Sequence, residues 1–136
     1  MLYLDTSALA KLYVTEPDSP PVDALLEKHR GVVFTSLVAY AETLSVLARA
    51  AREKRLTRGR YVTEKSAFLA DWKELHIVGL SEELLGPADR LIERYGLRGF
   101  DAVHLCSALW MGRPSFGCFD ARLRQAAGEE GLPVVP

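Results

Sequence analysis

The chain has 136 residues, enough for one domain, taken here as 1–136, with no room for a second. At 49% hydrophobic and 26% charged it excludes disorder, and folding can bury roughly two-thirds of the unfolded surface without disulfides or structural metal. A formal net charge of −1 excludes a global basic field, so any nucleic-acid binding must come from a local patch.

In chain order, Leu2–Asp5 reads as a strand, and Met1-Leu2-Tyr3-Leu4-Asp5 lacks the basic and long apolar regions of a signal peptide. Ser7–Val14 follows as a helix and Glu16–Pro21 as a loop. Ser19 before Pro20 suits the N-cap and first turn of a helix over Pro20–His29, which Gly31 would end. Val32–Thr35 is the next strand. Leu37–Glu53 and Arg58–Leu75 form a helical hairpin turning at Arg55–Gly59. After a strand at His76–Leu80, Ser81 and two acids open a helix over Glu82–Tyr95, closed by Gly96. A helix at Phe100–Met111, a strand at Ser115–Phe119, a helix at Ala121–Glu130 ended by Gly131, and a weak strand at Val134–Val135 complete the chain.

The strand candidates are near-continuous apolar runs, as expected for strands covered on both faces. Strands alternating with helices imply an α/β fold, a three-layer α/β/α sandwich around a mostly parallel sheet of about five strands. Two helix pairs without an intervening strand, at the hairpin and around Leu97–Gly99, depart from a plain one-helix crossover pattern. No apolar run approaches the ~20 residues of a membrane span, so a cytoplasmic protein without membrane contact is expected. Cys106 and Cys118 have neither CxxC spacing nor nearby His pairs, which speaks against a zinc site or a secreted disulfide scaffold.

Of 18 acidic residues, four stand outside polar stretches. Asp5 and Asp120 end apolar strands, Asp101 opens a helix in Gly-Phe-Asp-Ala-Val-His-Leu, and Glu42 lies in an apolar stripe between Val38 and Val46. A buried lone carboxylate costs several kcal/mol, so each needs a partner. A lysine, an arginine or, for the three aspartates, a helix N-terminus could serve. Taken together, a cluster of carboxylates without matching cations points to a hard divalent metal, Mg²⁺ or Mn²⁺. A doubly wound sheet gathers strand C-terminal ends, where Asp5 and Asp120 sit, at its switch point. Glu42 is the awkward member: about six residues past the expected helix start, it lies ~9 Å down the axis. It reaches the crevice only if that helix crosses the top of the sheet.

These acids in this order resemble the PIN-domain family. The resemblance rests on Leu4-Asp5-Thr6-Ser7, mid-helix Glu42, the stretch Leu97-Arg98-Gly99-Phe100-Asp101-Ala102-Val103-His104-Leu105, and Cys118-Phe119-Asp120-Ala121-Arg122-Leu123. It spans essentially the whole chain, and the single-domain length is similar to the VapC-type toxins of that family. One departure is Cys118, where members often carry Thr or Ser.

The resemblance implies a metal-dependent endoribonuclease. Asp5, Glu42 and Asp101 would hold one Mg²⁺ or Mn²⁺, with Asp120 completing it or supporting a second ion. Water activated there would attack an RNA phosphodiester, leaving a 3′-hydroxyl and a 5′-phosphate. Thr6 or Ser7 would cap the first helix or bond a metal-bound water. The resemblance also implies a cognate antitoxin with a basic tail, and a homodimer, for which the apolar face of Leu37–Leu47 is a candidate.

Other residues carry open readings. His104, one turn from Asp101, either has a hydrogen-bonded structural role or orients a ligand. Arg49, Arg52, Lys54, Arg55, Arg58 and Arg60 form a basic hairpin tip, solvated or an RNA-backbone rail. Arg122 and Arg124 either contact phosphate or pair with acids, and Trp72, Trp110 and Tyr40 read as packing or dimer aromatics. A receiver-like phosphoacceptor would need adjacent acids after the first strand and a late lysine, both missing here. A haloacid-dehalogenase-type phosphatase needs Asp-x-Asp, and position 7 is Ser. The surviving rivals are a catalytically silent PIN-like binding module and a housekeeping RNA-processing nuclease.

Overall fold

A computed structural model of the chain describes residues 1–15, 22–29 and 32–136. Its strands are β1 (Leu2–Leu4), β2 (Val33–Ser36), β3 (His76–Val78), β4 (Ser115–Gly117) and β5 (Val134–Val135). They form one sheet in the order β3-β2-β1-β4-β5, with every pairing parallel. β1 is central: Leu2 pairs with Val33 on one side and Ser115 on the other.

The helices are α1 (Thr6–Leu9), α2 (Val22–Lys28), α3 (Ala39–Arg52), α4 (Arg58–Trp72), α5 (Ala88–Tyr95), α6 (Gly99–Trp110) and α7 (Ala121–Glu129), with a 3₁₀ turn at Ala10–Leu12 extending α1. The period-two pleat of β1 divides the core between two helical layers. Leu2 and Leu4 pack with Leu9, Leu47 and Phe68 of the α1–α4 side. Tyr3, between them, faces the other way and packs with Leu91, Leu105 and Leu123 of α5, α6 and α7. The α/β/α sandwich and the expected doubling of helices are both present.

Several boundaries shift for local reasons. The strands at positions 2, 76 and 115 each end one or two residues sooner than the apolar runs suggest, so Asp5 lies just beyond β1. The expected helix over Glu82–Tyr95 begins only at Ala88, after turns at residues 82–87. Pro87 has no N–H and disfavours a helical Gly86, so it starts α5 instead of sitting within it. Ser81 still caps, accepting from the Leu84 N–H at 3.1 Å, but what it caps is a turn. Gly96 closes α5 as expected, at φ 64. The expectations for Glu16–Pro21, Ser19, Pro20 and Gly31 fall wholly or largely outside the described residues.

Phe68 of α4 has no exposed surface and meets the rings of Tyr13 at 5.4 Å, Trp72 at 5.7 Å and Tyr40 at 6.1 Å. Phe68→Ala removes the centre of this cluster and is expected to cost about 3–5 kcal/mol. The check is a lowered urea midpoint with an unchanged denaturant slope.

Candidate active site

Four elements bring the four singled-out acids to one open cleft of about 420 Å³, lined by Asp5, Glu42, Asp101 and Asp120. Asp5 follows β1 and Asp120 follows β4, the neighbouring parallel strand, so both carboxylates emerge at the same edge of the sheet. Glu42 comes from α3 and Asp101 from the first turn of α6. The expected difficulty with Glu42 disappears, because α3 starts at Ala39, later than expected. Glu42 therefore lies in its first turn and not deep along the axis.

Asp5 is the most deeply placed of the four, with 3% of its surface exposed. Its Oδ1 accepts from the Ala8 N–H at 3.0 Å, capping α1, and from the Ser7 hydroxyl at 2.7 Å. Its Oδ2 accepts from the Cys118 thiol at 3.2 Å. Burial pushes the Asp5 carboxyl above its ordinary pKa, and the nearby His104 together with these donors only partly offsets that rise. Burial, the Asp5 charge and the bond to Asp5 push the Cys118 thiol far up, so it stays a protonated donor. Cys118 thus donates the hydrogen bond that a hydroxyl could make at the same place. Both cysteines are free and buried.

Thr6 and Ser7 do not cap the first helix. The cap of α1 is Asp5 itself. Ser7 accepts from the Phe119 N–H at 2.9 Å while donating to Asp5, so it ties the end of β4 to that of β1. Thr6 donates to Glu42 Oε1 at 2.7 Å. His104 is 2% exposed, its Nε2 lying 2.8 Å from Glu42 Oε1 and 3.0 Å from Thr6 Oγ1, and its Nδ1 2.8 Å from the Tyr3 hydroxyl. His104 is thus fully hydrogen-bonded, and one of its bonds runs to Glu42 itself. Partial burial acts to raise the Glu42 carboxyl, but the bonds from His104 and Thr6 outweigh it and hold the group below its ordinary pKa.

Asp120 caps α7, its Oδ1 accepting from the Leu123 N–H at 2.8 Å. Asp101 Oδ2 accepts from Arg98 Nε at 3.2 Å. Lys11, Arg55 and Arg98 line the same cleft, and Arg98 continues with Phe100 into an adjoining recess of about 380 Å³. Of the basic hairpin, Arg55 alone among the six lines this cleft; Arg60 pairs with Glu64 at 2.7 Å and Arg58 lies over Tyr61. Arg122 and Arg124 pair with no acid among the described residues; they donate to the backbone carbonyls of Gly96 and Cys118. Sequence reasoning missed Tyr3, Lys11 and Arg98. Arg98 carried a usable signal, three residues before Asp101 at a helix start.

A family model described as PIN domain matches residues 2–129. The chain belongs to the PIN domain family. It is similar to Ribonuclease VapC45 of Mycobacterium tuberculosis, 34% identical over 138 residues that cover all of this chain and 95% of the relative. Ribonuclease VapC47 of the same organism is 32% identical, over 97% of this chain and 93% of its own. Among solved structures, Mycobacterium tuberculosis VapC20, a sarcin–ricin loop cleaving toxin, superposes with a TM-score of 0.72 at 20% identity, each chain covered in full. A toxin–antitoxin complex from Klebsiella pneumoniae gives 0.65 at 20% identity, over all of this chain and 97% of the other. Among the described residues of this PIN domain no helix is long and apolar enough to cross a membrane.

The upward displacement of Asp5 has a sign that can be measured. A carboxyl raised in the folded state costs stability once it ionises, so the cost is full above its folded pKa. The cost fades as pH falls toward the ordinary value of about 4. Asp5→Asn keeps an oxygen for Ala8 and Ser7 but removes the charge. In EDTA the variant should melt above the wild type at pH 7, with the gap closing by about pH 4. A variant that melts lower at pH 7 would mean that the Cys118 bond outweighs the burial cost.

Proposed function

We propose that this PIN domain is a divalent-metal-dependent endoribonuclease acting as the toxin of a VapBC-type pair. One observation carries the reading: acids from four separate elements line one cleft, and Lys11, Arg55 and Arg98 line it with them. Carboxylates supply the hard oxygen donors that Mg²⁺ or Mn²⁺ takes, and Asp5 is buried without a cation bonded to it among the described residues. Among the described residues no three acidic, His or Cys side chains form a ready chelate. Mg²⁺ keeps several waters and takes only one or two carboxylates directly, so it does not require such a chelate.

Asp5, Glu42 and Asp101 would hold the ion, with Asp120 completing the set or supporting a second. Bound there, a divalent ion lowers the pKa of a water and offsets negative charge at the scissile phosphate. The chain's own residues do the rest. Ser7 and Cys118 hold the Asp5 carboxylate still, and Thr6 and His104 hold Glu42. Arg98, its side chain 84% exposed, can turn from Asp101 to an RNA phosphate without leaving a buried charge behind. Lys11 and Arg55 add positive charge along the same cleft.

A free nuclease of this kind must be restrained; the relatives' names support the ribonuclease half of the reading, and the solved toxin and toxin–antitoxin structures of the same fold support the other half. The partner is then an antitoxin that places an Arg or Lys among the four carboxylates. Leu37 and Tyr40, exposed by 49% and 39%, leave an apolar face at the start of α3 for a homodimer contact.

Purified protein incubated with structured and unstructured RNAs should cleave in Mn²⁺ or Mg²⁺ and not in EDTA. Asp5→Asn and Asp101→Asn should fall to the EDTA level while melting cooperatively. Full activity in either variant, with contaminating nuclease excluded, would sink the assignment. A folded wild type that binds RNA but never cleaves it would favour the silent binding module.

A further inference from the structure

We infer that His104 is a positioning residue: its ring, fixed by Tyr3, determines which oxygen of Glu42 is left for the cation. The inference rests on the metal-site reading above and extends it to residues that touch neither ion nor RNA.

An ionised carboxylate can only accept, so the 2.8 Å contact between His104 Nε2 and Glu42 Oε1 requires the hydrogen to be on Nε2. In the neutral ring Nδ1 is then an acceptor, and the Tyr3 hydroxyl at 2.8 Å is its donor. Thr6 donates to the same Glu42 oxygen at 2.7 Å. Oε1 thus receives two hydrogen bonds, while Oε2 makes none among the described residues. The carboxylate is oriented, with one oxygen engaged by protein and the other available.

The ring is held as firmly as the carboxylate. His104 is buried on α6, one turn beyond Asp101, and Tyr3 has no exposed surface. The Tyr3 ring stacks on Phe116 with centroids 5.5 Å apart and planes 9° apart. Through this one imidazole, α6 with Asp101, α3 with Glu42 and the strand leading to Asp5 are bonded to a common point. A carboxylate already in place spares the cation the entropy of ordering a long Glu side chain. It resembles the outer-shell control seen at other metal sites, where loss of such a partner costs about 10–100-fold in affinity.

The test is Mn²⁺ titration of metal-stripped, RNA-free protein, with the melting temperature of each metal-free variant recorded alongside. His104→Leu should weaken Mn²⁺ binding about 10–100-fold. His104→Gln, whose amide N–H reaches Glu42 from the position of Nε2, should recover most of that loss. Tyr3→Phe keeps the ring on Phe116 and removes only the hydroxyl, so a smaller loss of several-fold is expected. Leu91→Ala, a core truncation remote from the cleft, should lower the melting temperature and leave Mn²⁺ affinity unchanged.

Wild-type affinity in folded His104→Leu overturns the inference, as does a Gln variant no better than Leu. If His104→Leu does not fold, Tyr3→Phe decides, and wild-type affinity there overturns it. A wild-type protein that binds no Mn²⁺ overturns the metal-site reading itself, and the inference with it.

Discussion

Everything at the cleft depends on how one carboxylate is tolerated at the end of the central strand. Asp5 sits one residue beyond β1, flanked by β2 and β4, with helical layers above and below. Water cannot solvate it well there, and an unassisted charge would cost several kcal/mol. Its three donors come from the first turn of α1 and from the end of β4, so the loops around it are shaped by that single group. The parallel sheet explains why the arrangement recurs at β4: strands running the same way end on the same edge. A second Asp after a neighbouring strand therefore arrives beside the first.

Glu42 and Asp101 reach the cleft by a different route. Neither follows a strand; both ride in the first turn of a helix whose start faces the sheet edge. The two kinds of element must be kept in register, and buried polar contacts between them do so. Such networks favour a unique arrangement when every member is satisfied. In the Tyr3–His104–Glu42–Thr6 set each polar atom facing another has a partner within 3.0 Å.

The fold was largely legible because its strands are unbroken apolar runs and its helices carry clear punctuation, as at Gly96. What failed were positions where one residue overrides a pattern. Pro87 moved a helix start by six residues against a continuous polar–apolar rhythm. The late start of α3 at Ala39 has no side-chain cap to announce it, which is why Glu42 seemed too far from the crevice. The four acids were legible as exceptions to their surroundings. Their partners were not: Tyr3 reads as an ordinary apolar strand residue, and its bond to His104 spans 101 positions of sequence. Arg122 and Arg124 could be placed near Asp120, but backbone carbonyls as their partners leave no trace in composition.

Under the proposed function Asp5 and Asp120 would each do two jobs with the same atoms, since each is also the N-cap of the helix that follows it. A cap is worth roughly 1 kcal/mol, a sizeable share of a marginal stability. A descendant of this chain that no longer cut RNA would still be under pressure to begin α1 and α7 with an Asp, Asn, Ser or Thr. If the four acids hold the metal as proposed, decay of the activity would therefore erode Glu42 and Asp101 first, while the strand-ending positions kept a capping side chain. Under the proposed function, the informative sign of a living catalyst would be the pair of acids that the helices do not use as caps.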